Sequence, residues 1–238
     1  MTAAVLSLVL AGVATAAVIT GTDGNDNLKG TNDPDAIDAR AGNDKVTGRR
    51  GNDDLCGNDG NDRVHGSRGN DEVDGDKGND RLKGDEGNDD VTGGDGADSA
   101  SGGKGDDTVN GDGPNACVMP ADYPLPSGPG NDRLSGDKGD DTVNGGGGND
   151  RIKGGRGADE LNGDAGADRI NARGDGRKRP GDQIECGADG DRDVVRADRN
   201  DEIGTSCTAQ DDVRVAGSRS RGKGPKAEGE RRRRGNRR

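Results

Sequence analysis

A nine-residue period that never slips restricts this chain more than any other feature. From Gly21 to Asn110 the sequence divides into ten blocks, GTDGNDNLK first and GGKGDDTVN last. The sixth position is always Asp: Asp26, Asp35, Asp44, Asp53, Asp62, Asp71, Asp80, Asp89, Asp98 and Asp107. The eighth is always aliphatic, running from Leu28 and Ile37 to Ala100 and Val109. The fourth position is Gly except at Asp33, and the first is Gly except at Ala39. Five more blocks run from Ser127 to Asn171, with Asp132, Asp141, Asp150, Asp159 and Asp168 at the sixth position. A fixed period of this kind marks a repeat architecture. Low-complexity disorder does not hold one Asp in register over so many blocks.

The first six residues of a block are turn formers, because Gly reaches positive φ and Asn and Asp tolerate it. The last three, such as Asn27-Leu28-Lys29, make a minimal strand with one inward side chain. If two blocks complete one coil, Leu28, Val46, Val64, Leu82 and Ala100 stack on one side. Ile37, Leu55, Val73, Val91 and Val109 then stack on the other, with strands about 4.8 Å apart. The core of such a roll is one aliphatic residue per strand. Only 25% of the 238 residues are hydrophobic, with no Trp or Phe. A chain that buries so little apolar area needs another source of folding energy, and a bound metal is the obvious one.

The same geometry lines up the Asp residues of alternate blocks along each edge. Like charges about 4.8 Å apart repel by roughly 1 kcal/mol per pair even in water, so the rows call for cations between them. Hard oxygen ligands in flexible, carbonyl-rich loops favour Ca²⁺, whereas Mg²⁺ demands stricter octahedral geometry. No His/Cys cluster supports Zn²⁺.

Written as G-x-x-G-N-D-x-U-x, with U aliphatic, the blocks resemble the hemolysin-type (RTX) calcium-binding nonapeptide repeat, G-G-x-G-x-D-x-U-x. The resemblance implies an all-β, right-handed parallel β-roll, a calcium-loaded β-solenoid. In such rolls each ion lies between loops of adjacent coils, held by an Asp carboxylate from each and by carbonyls of the glycine-rich turn. Carried over, the metal residues are the fifteen sixth-position Asp named above, with Asp26 paired to Asp44, Asp35 to Asp53, and so on. One ion between each same-side pair gives eight sites in the first run and three in the second. The second block departs most, with Asp33-Pro34 where Gly-Asn is usual.

Around the repeats, residues 1–17 read as a signal peptide with an A-x-A site at Ala14 to Ala16, or as an uncleaved anchor. Roll sequence occupies 18–110, and Val18-Ile19-Thr20 already falls in register as a first strand. Residues 111–126 combine a degenerate block, GDGPNACVM, with the Pro-rich PADYPLP, as a loop on one roll or a hinge between two. After the run 127–171, D-x-U persists at Asp182/Ile184, Asp193/Val195, Asp201/Ile203 and Asp211/Val213. This makes 172–215 a degenerate C-terminal cap. Residues 216–238 hold ten Arg or Lys and two Glu, although the whole chain carries a net charge of −12. They form a basic tail suited to an anionic cell-wall or membrane surface more than to nucleic acid.

Four Cys in an exported chain suggest disulfides. Cys186 and Cys207 follow rungs that would stack directly, which predicts a bond between them. Cys56 and Cys117 pair only if the 111–126 loop folds back, and are otherwise free or bonded elsewhere. His65 is the single histidine, at an outward ninth position, so the usual catalytic constellations have no support. The chain therefore reads as a secreted, non-enzymatic, calcium-binding structural or surface-associated protein. The alternatives are a calcium-dependent adhesin, or a secretion and folding module serving a separate catalytic chain.

Overall fold

The computed structural model describes residues 5–8, 16–113, 129–174, 180–187, 190–208 and 211–216. Most of the signal segment, the centre of the insertion with Cys117, and nearly all of the basic tail lie outside the described residues.

Two parallel sheets face each other, and the chain alternates between them with every block. Sheet A contains Ala17–Thr20, Ala36–Asp38, Asp54–Asp59, Glu72–Lys77, Asp90–Asp95, Thr108–Asn110, Thr142–Asn144, Glu160–Asn162, Gln183–Glu185 and Glu202–Ile203. Val5–Leu8 adds an antiparallel strand at its first edge. Sheet B contains Asn27–Lys29, Lys45–Arg50, Arg63–Arg68, Arg81–Glu86, Ser99–Lys104, Arg133–Lys138, Arg151–Arg156, Arg169–Asn171, Val194–Ala197 and Asp212–Val215. No helix among the described residues is long and apolar enough to cross a membrane.

The eighth-position residues form the core. Ile19, Ile37, Leu55, Val73, Val91 and Val109 stack in register on sheet A. Leu28, Val46, Val64, Leu82 and Ala100 stack on sheet B. All are buried. Ile184 and Ile203 continue the first row and Val195 and Val213 the second, so the degenerate 172–215 region adds true rungs.

The strands are longer than the sequence suggests. From Lys45–Arg50 to Ser99–Lys104 each runs six residues, into the first three positions of the next block. The reason is that the first-position glycine stays extended, and the left-handed conformation falls on the second position instead. Non-glycine residues occupy it there, among them Asn58, Ser67, Asp76, Asp85 and Asp137.

The insertion does not divide the roll. Val109 pairs directly with Val143 and Ala100 with Leu134, while Val118 lies outside the described residues. The block that contains Asp132 begins at Gly111, not at Ser127. Gly111 stands beside the Asp132 carboxylate as every other first-position glycine stands beside its own Asp. Positions one to three are thus Gly111–Gly113, and positions four to nine are Gly130–Ser135. The described chain stops at Gly113 and resumes at Pro129, between positions three and four of one block, and strand pairing on either side of that point is uninterrupted.

Cys186 and Cys207 are disulfide-bonded across adjacent sheet A rungs, with Cα atoms 4.8 Å apart, as their stacking predicts. Cys56 is also disulfide-bonded, and its partner lies outside the described residues.

Alternation sorts charge onto opposite faces. The outward seventh position of sheet B stacks Lys45, Arg63, Arg81, Ser99, Arg133, Arg151 and Arg169 in one row. The matching row of sheet A holds Asp54, Glu72 and Asp90.

Candidate metal centre

The sixth-position residues lie at the two edges where the chain turns between sheets. Such turns have no strand neighbour to satisfy their amides, and two rows of side chains do it instead. Each Asp accepts at Oδ1 from the amide of the Asp one coil earlier: Asp26 donates to Asp44 at 2.7 Å, Asp44 to Asp62 at 2.7 Å, and Asp53 to Asp71 at 2.9 Å. The fifth-position row runs the other way. Asn61 donates its amide to Asn43 Oδ1, and Asn79 to Asn61, each at 2.8 Å. Sequence reasoning read these Asn only as turn formers, because a side chain bonded eighteen residues away leaves no local signature.

These bonds use one oxygen of each carboxylate. In Asp44, Asp53, Asp62, Asp71, Asp80, Asp89, Asp98, Asp107, Asp132, Asp141 and Asp150 the second oxygen, Oδ2, is buried and accepts no hydrogen bond. An ionised oxygen buried without a partner costs several kcal/mol. Apart from Asp44, whose block begins with Ala39, each Oδ2 lies against the first-position glycine of its own block. A methyl group built on Gly57 would lie 2.8 Å from Asp62 Oδ2 and 2.8 Å from the carbonyl oxygen of Gly75, one coil further on. A carboxylate oxygen and a carbonyl oxygen therefore converge on a space that Gly57 leaves open. That donor set is hard, oxygen-only and irregular, which fits Ca²⁺.

The electrostatics agree. Burial pushes the carboxyls of Asp53, Asp62, Asp89, Asp132 and Asp141 up to about 7, and row neighbours add to the rise. Asp80 is pushed up to about 8, again chiefly by burial, with Asp98 and Asp62 adding to it. The rows hold negative charge in a setting that opposes it.

Not every sixth-position Asp is alike. In the first coil, Thr22 donates its amide to Asp26 Oδ2 at 2.6 Å, and Thr31 donates to Asp35 Oδ2 at 2.5 Å. Protein donors already serve these two carboxylates. Asp159 and Asp168 lie in the rows and are buried. The rows also pass beyond them. Asp159 donates to Asp182 Oδ1 at 3.0 Å and Asp168 to Asp193 Oδ1 at 2.9 Å, and both acceptors are buried. Asp182 and Asp193 were absent from the metal residues inferred from sequence, although their D-x-U pattern marked them. The junctions Asp98–Asp132 and Asp107–Asp141 are likewise same-side pairs that a count by separate runs omits. Cys186 lies within 4.8 Å of the carboxylates of Asp193 and Asp211, but its sulfur is committed to the disulfide.

Compared with known families, the chain matches the model of the RTX calcium-binding nonapeptide repeat (4 copies) at residues 20–55, 57–91, 83–113, 127–161 and 144–176. No curated protein matches it. The match spans more than half of the sequence and coincides with the stacked Asp rows, so the chain belongs to the RTX calcium-binding nonapeptide repeat family, whose repeats bind several calcium ions each domain.

Proposed function

We propose that this is a secreted, non-enzymatic structural protein whose roll is folded by calcium and whose basic face rests on an anionic surface. The calcium part is carried by one observation: the buried, unsatisfied Oδ2 atoms of the Asp53–Asp150 rows, each beside the first-position glycine of its block. Those Asp residues would hold ions between successive turns, with Asp159 and Asp168 extending the rows and Asp26 and Asp35 ending them. Calcium supplies the positive charge that lets adjacent carboxylates stay ionised and close. The chain contributes the rest: Oδ1 fixes each carboxylate through the neighbouring amide, and the first-position glycine leaves room for the ion. Metal binding energy then becomes folding energy.

Calorimetric calcium titration of residues 17–238, with circular dichroism on the same samples, tests this. Cooperative uptake of several ions with a gain of β signal is expected. The same β signal in chelator as in millimolar Ca²⁺ would sink it.

The surface role is supported by the Lys45–Arg169 row of sheet B, which repeats a positive charge at almost every strand, about 4.8 Å apart. A shallow groove on sheet B is lined by Arg49, Arg50, Arg68 and Lys104 together with Asp85 and Glu86, and Glu86 pairs with Arg68 and Lys104, leaving Arg49 and Arg50 as its excess positive charge. A linear polyanion fits such a row, and the basic 216–238 tail has the same sign. The same face favours a calcium-dependent adhesin as the second reading. Pull-down on anionic cell walls should weaken several-fold on removal of 216–238 or in R63E/R81E/R133E, and should weaken with salt. Equal retention of all variants would leave a passive structural protein.

A further inference from the structure

We propose that calcium-loaded rolls stack face to face, the acidic outer row of sheet A in one copy lying on the basic outer row of sheet B in the next.

The seventh position of each block starts a strand and points outward. On sheet A it carries Asp54, Glu72 and Asp90 on three successive rungs. On sheet B it carries Lys45, Arg63 and Arg81 on three successive rungs, and Arg133, Arg151 and Arg169 on three more beyond Ser99. All of these charged residues are exposed. The sheet A row contains no cation from Ala36 to Glu202. The sheet B row contains no acid from Asn27 to Arg169.

Other outward rows settle their charge within one face. The third position of sheet B mixes both signs, and Glu86 accepts from Arg68 at 3.2 Å and from Lys104 at 2.6 Å. On sheet A, Lys77 pairs with Asp59 at 3.0 Å. The seventh-position rows have no such remedy. Among the described residues, none of their charges forms an ion pair. Like charges directly opposite on neighbouring strands destabilise a sheet. Partial burial, with Asp54 and Asp90 on either side, holds the Glu72 carboxyl above its usual value.

A row of opposite sign and equal spacing would relieve both, and the chain itself supplies one. Each row steps once per coil, by about 4.8 Å. Three acids of one roll therefore meet three cations of another in register, and the first contact places the rest. An exposed ion pair contributes little alone, so the match has to be made by the whole row. Sheets A and B face opposite ways, which makes the contact heterologous. A pair of copies still offers one free face of each sign, so the product is an open stack, not a closed dimer. The end roll of a stack still presents its own sheet B. Stacking is thus compatible with attachment to an anionic surface and does not depend on it.

Sedimentation velocity of the full chain in saturating Ca²⁺ tests this with two charge-reversed variants, D54K/E72K/D90K and R63E/R81E/R133E. Circular dichroism in calcium checks that each folds. The wild type should grow with protein concentration and return to monomer in about 1 M salt, where the screening length is about 3 Å. Each variant alone should stay monomeric, because both of its faces carry one sign. An equimolar mixture of the two should associate again. If D54K/E72K/D90K lost its β signal, the neutral D54N/E72Q/D90N would replace it, and should assemble only at several-fold higher concentration; unchanged assembly would overturn the acidic row. Association that survives in R63E/R81E/R133E alone, as the basic 216–238 tail would sustain, overturns the row pairing, and so does a mixture of folded variants that stays monomeric. A wild type that is monomeric at every concentration overturns the stack and leaves the surface reading intact. Conversely, D54K/E72K/D90K should lose stacking and keep its hold on anionic cell walls.

Discussion

The amide of Asp98 donates to Oδ1 of Asp132 at 2.7 Å, across a separation of thirty-four residues where the rest of the row steps by eighteen. The excess is sixteen residues, and the row does not register it. Deleting residues 114–129 joins Gly113 to Gly130 and restores one uninterrupted block. With Cys56→Ser to remove the orphaned thiol, the shortened chain should take up calcium and gain β signal as the full chain does. A loss of cooperativity in the calcium-dependent circular dichroism would show that the insertion holds two rolls together.

Two glycines three residues apart serve different purposes. Gly57 has ordinary backbone angles, and an added methyl would occupy the space beside Asp62 Oδ2. Gly60 has φ +156, and an added Cβ would run into the Gly42 carbonyl oxygen. Gly57→Ala should therefore lower the number of bound ions and raise the calcium midpoint of folding. Gly60→Ala should destabilise the roll by about 3 kcal/mol even in saturating calcium. Calcium titration and urea unfolding in excess calcium separate the two.

The row carboxyls make the metal-free and calcium-loaded chains respond to pH in opposite directions. Asp53, Asp62, Asp89, Asp132 and Asp141 rise from 3.8 to about 7, and Asp80 to about 8. An acid whose folded value is raised favours the folded state at low pH. That contribution is complete below about pH 4 and is lost as pH rises through about 7 to 8. In chelator, β signal should therefore grow as pH is lowered from about 8 to about 5. In calcium the ionised form binds, so the signal should persist at pH 8 and the calcium midpoint should rise on acidification. A β signal in chelator that ignores pH would contradict the burial of these groups.

The disulfide Cys186–Cys207 closes a loop with a sequence separation of 21 and joins the last two rungs of sheet A. Removing it as C186A/C207A should cost about 3 kcal/mol. The loss should stay local, because each coil contacts mainly its neighbours. Hydrogen exchange should quicken at Ile184 and Ile203 and remain unchanged at Val64 and Leu82. Uniform quickening along the roll would mean that the C-terminal rungs hold the whole stack in place.

Much of the fold was legible because a strict period leaves few choices. One aliphatic residue in nine, alternating sides, specifies two sheets, and the rows from Leu28 to Ala100 and from Ile37 to Val109 stack as the spacing requires. The Cys186–Cys207 bond followed from the same stacking. Other features needed the coil to be closed. The role of Gly111 was hidden because its Asp partner, Asp132, lies twenty-one residues away across the insertion. Thr22 and Thr31 look like ordinary block residues until their amides are seen to serve Asp26 and Asp35. Asp182 and Asp193 sit in irregularly spaced stretches, and only strand pairing returns them to the rows.

The sequence by itself determined the repeat, the inward residue of each strand, the Asp at each turn and the preference for a hard cation, because all of these are properties of one block. The tertiary structure decided what one block cannot specify. It set which oxygen of each Asp is spent on an amide and which is left facing the glycine. It sorted the Arg rows and the acidic rows onto opposite faces. The physical reason is that these relations run between residues eighteen apart, across coils, where hydrogen-bond partners and burial are set only once the roll has closed.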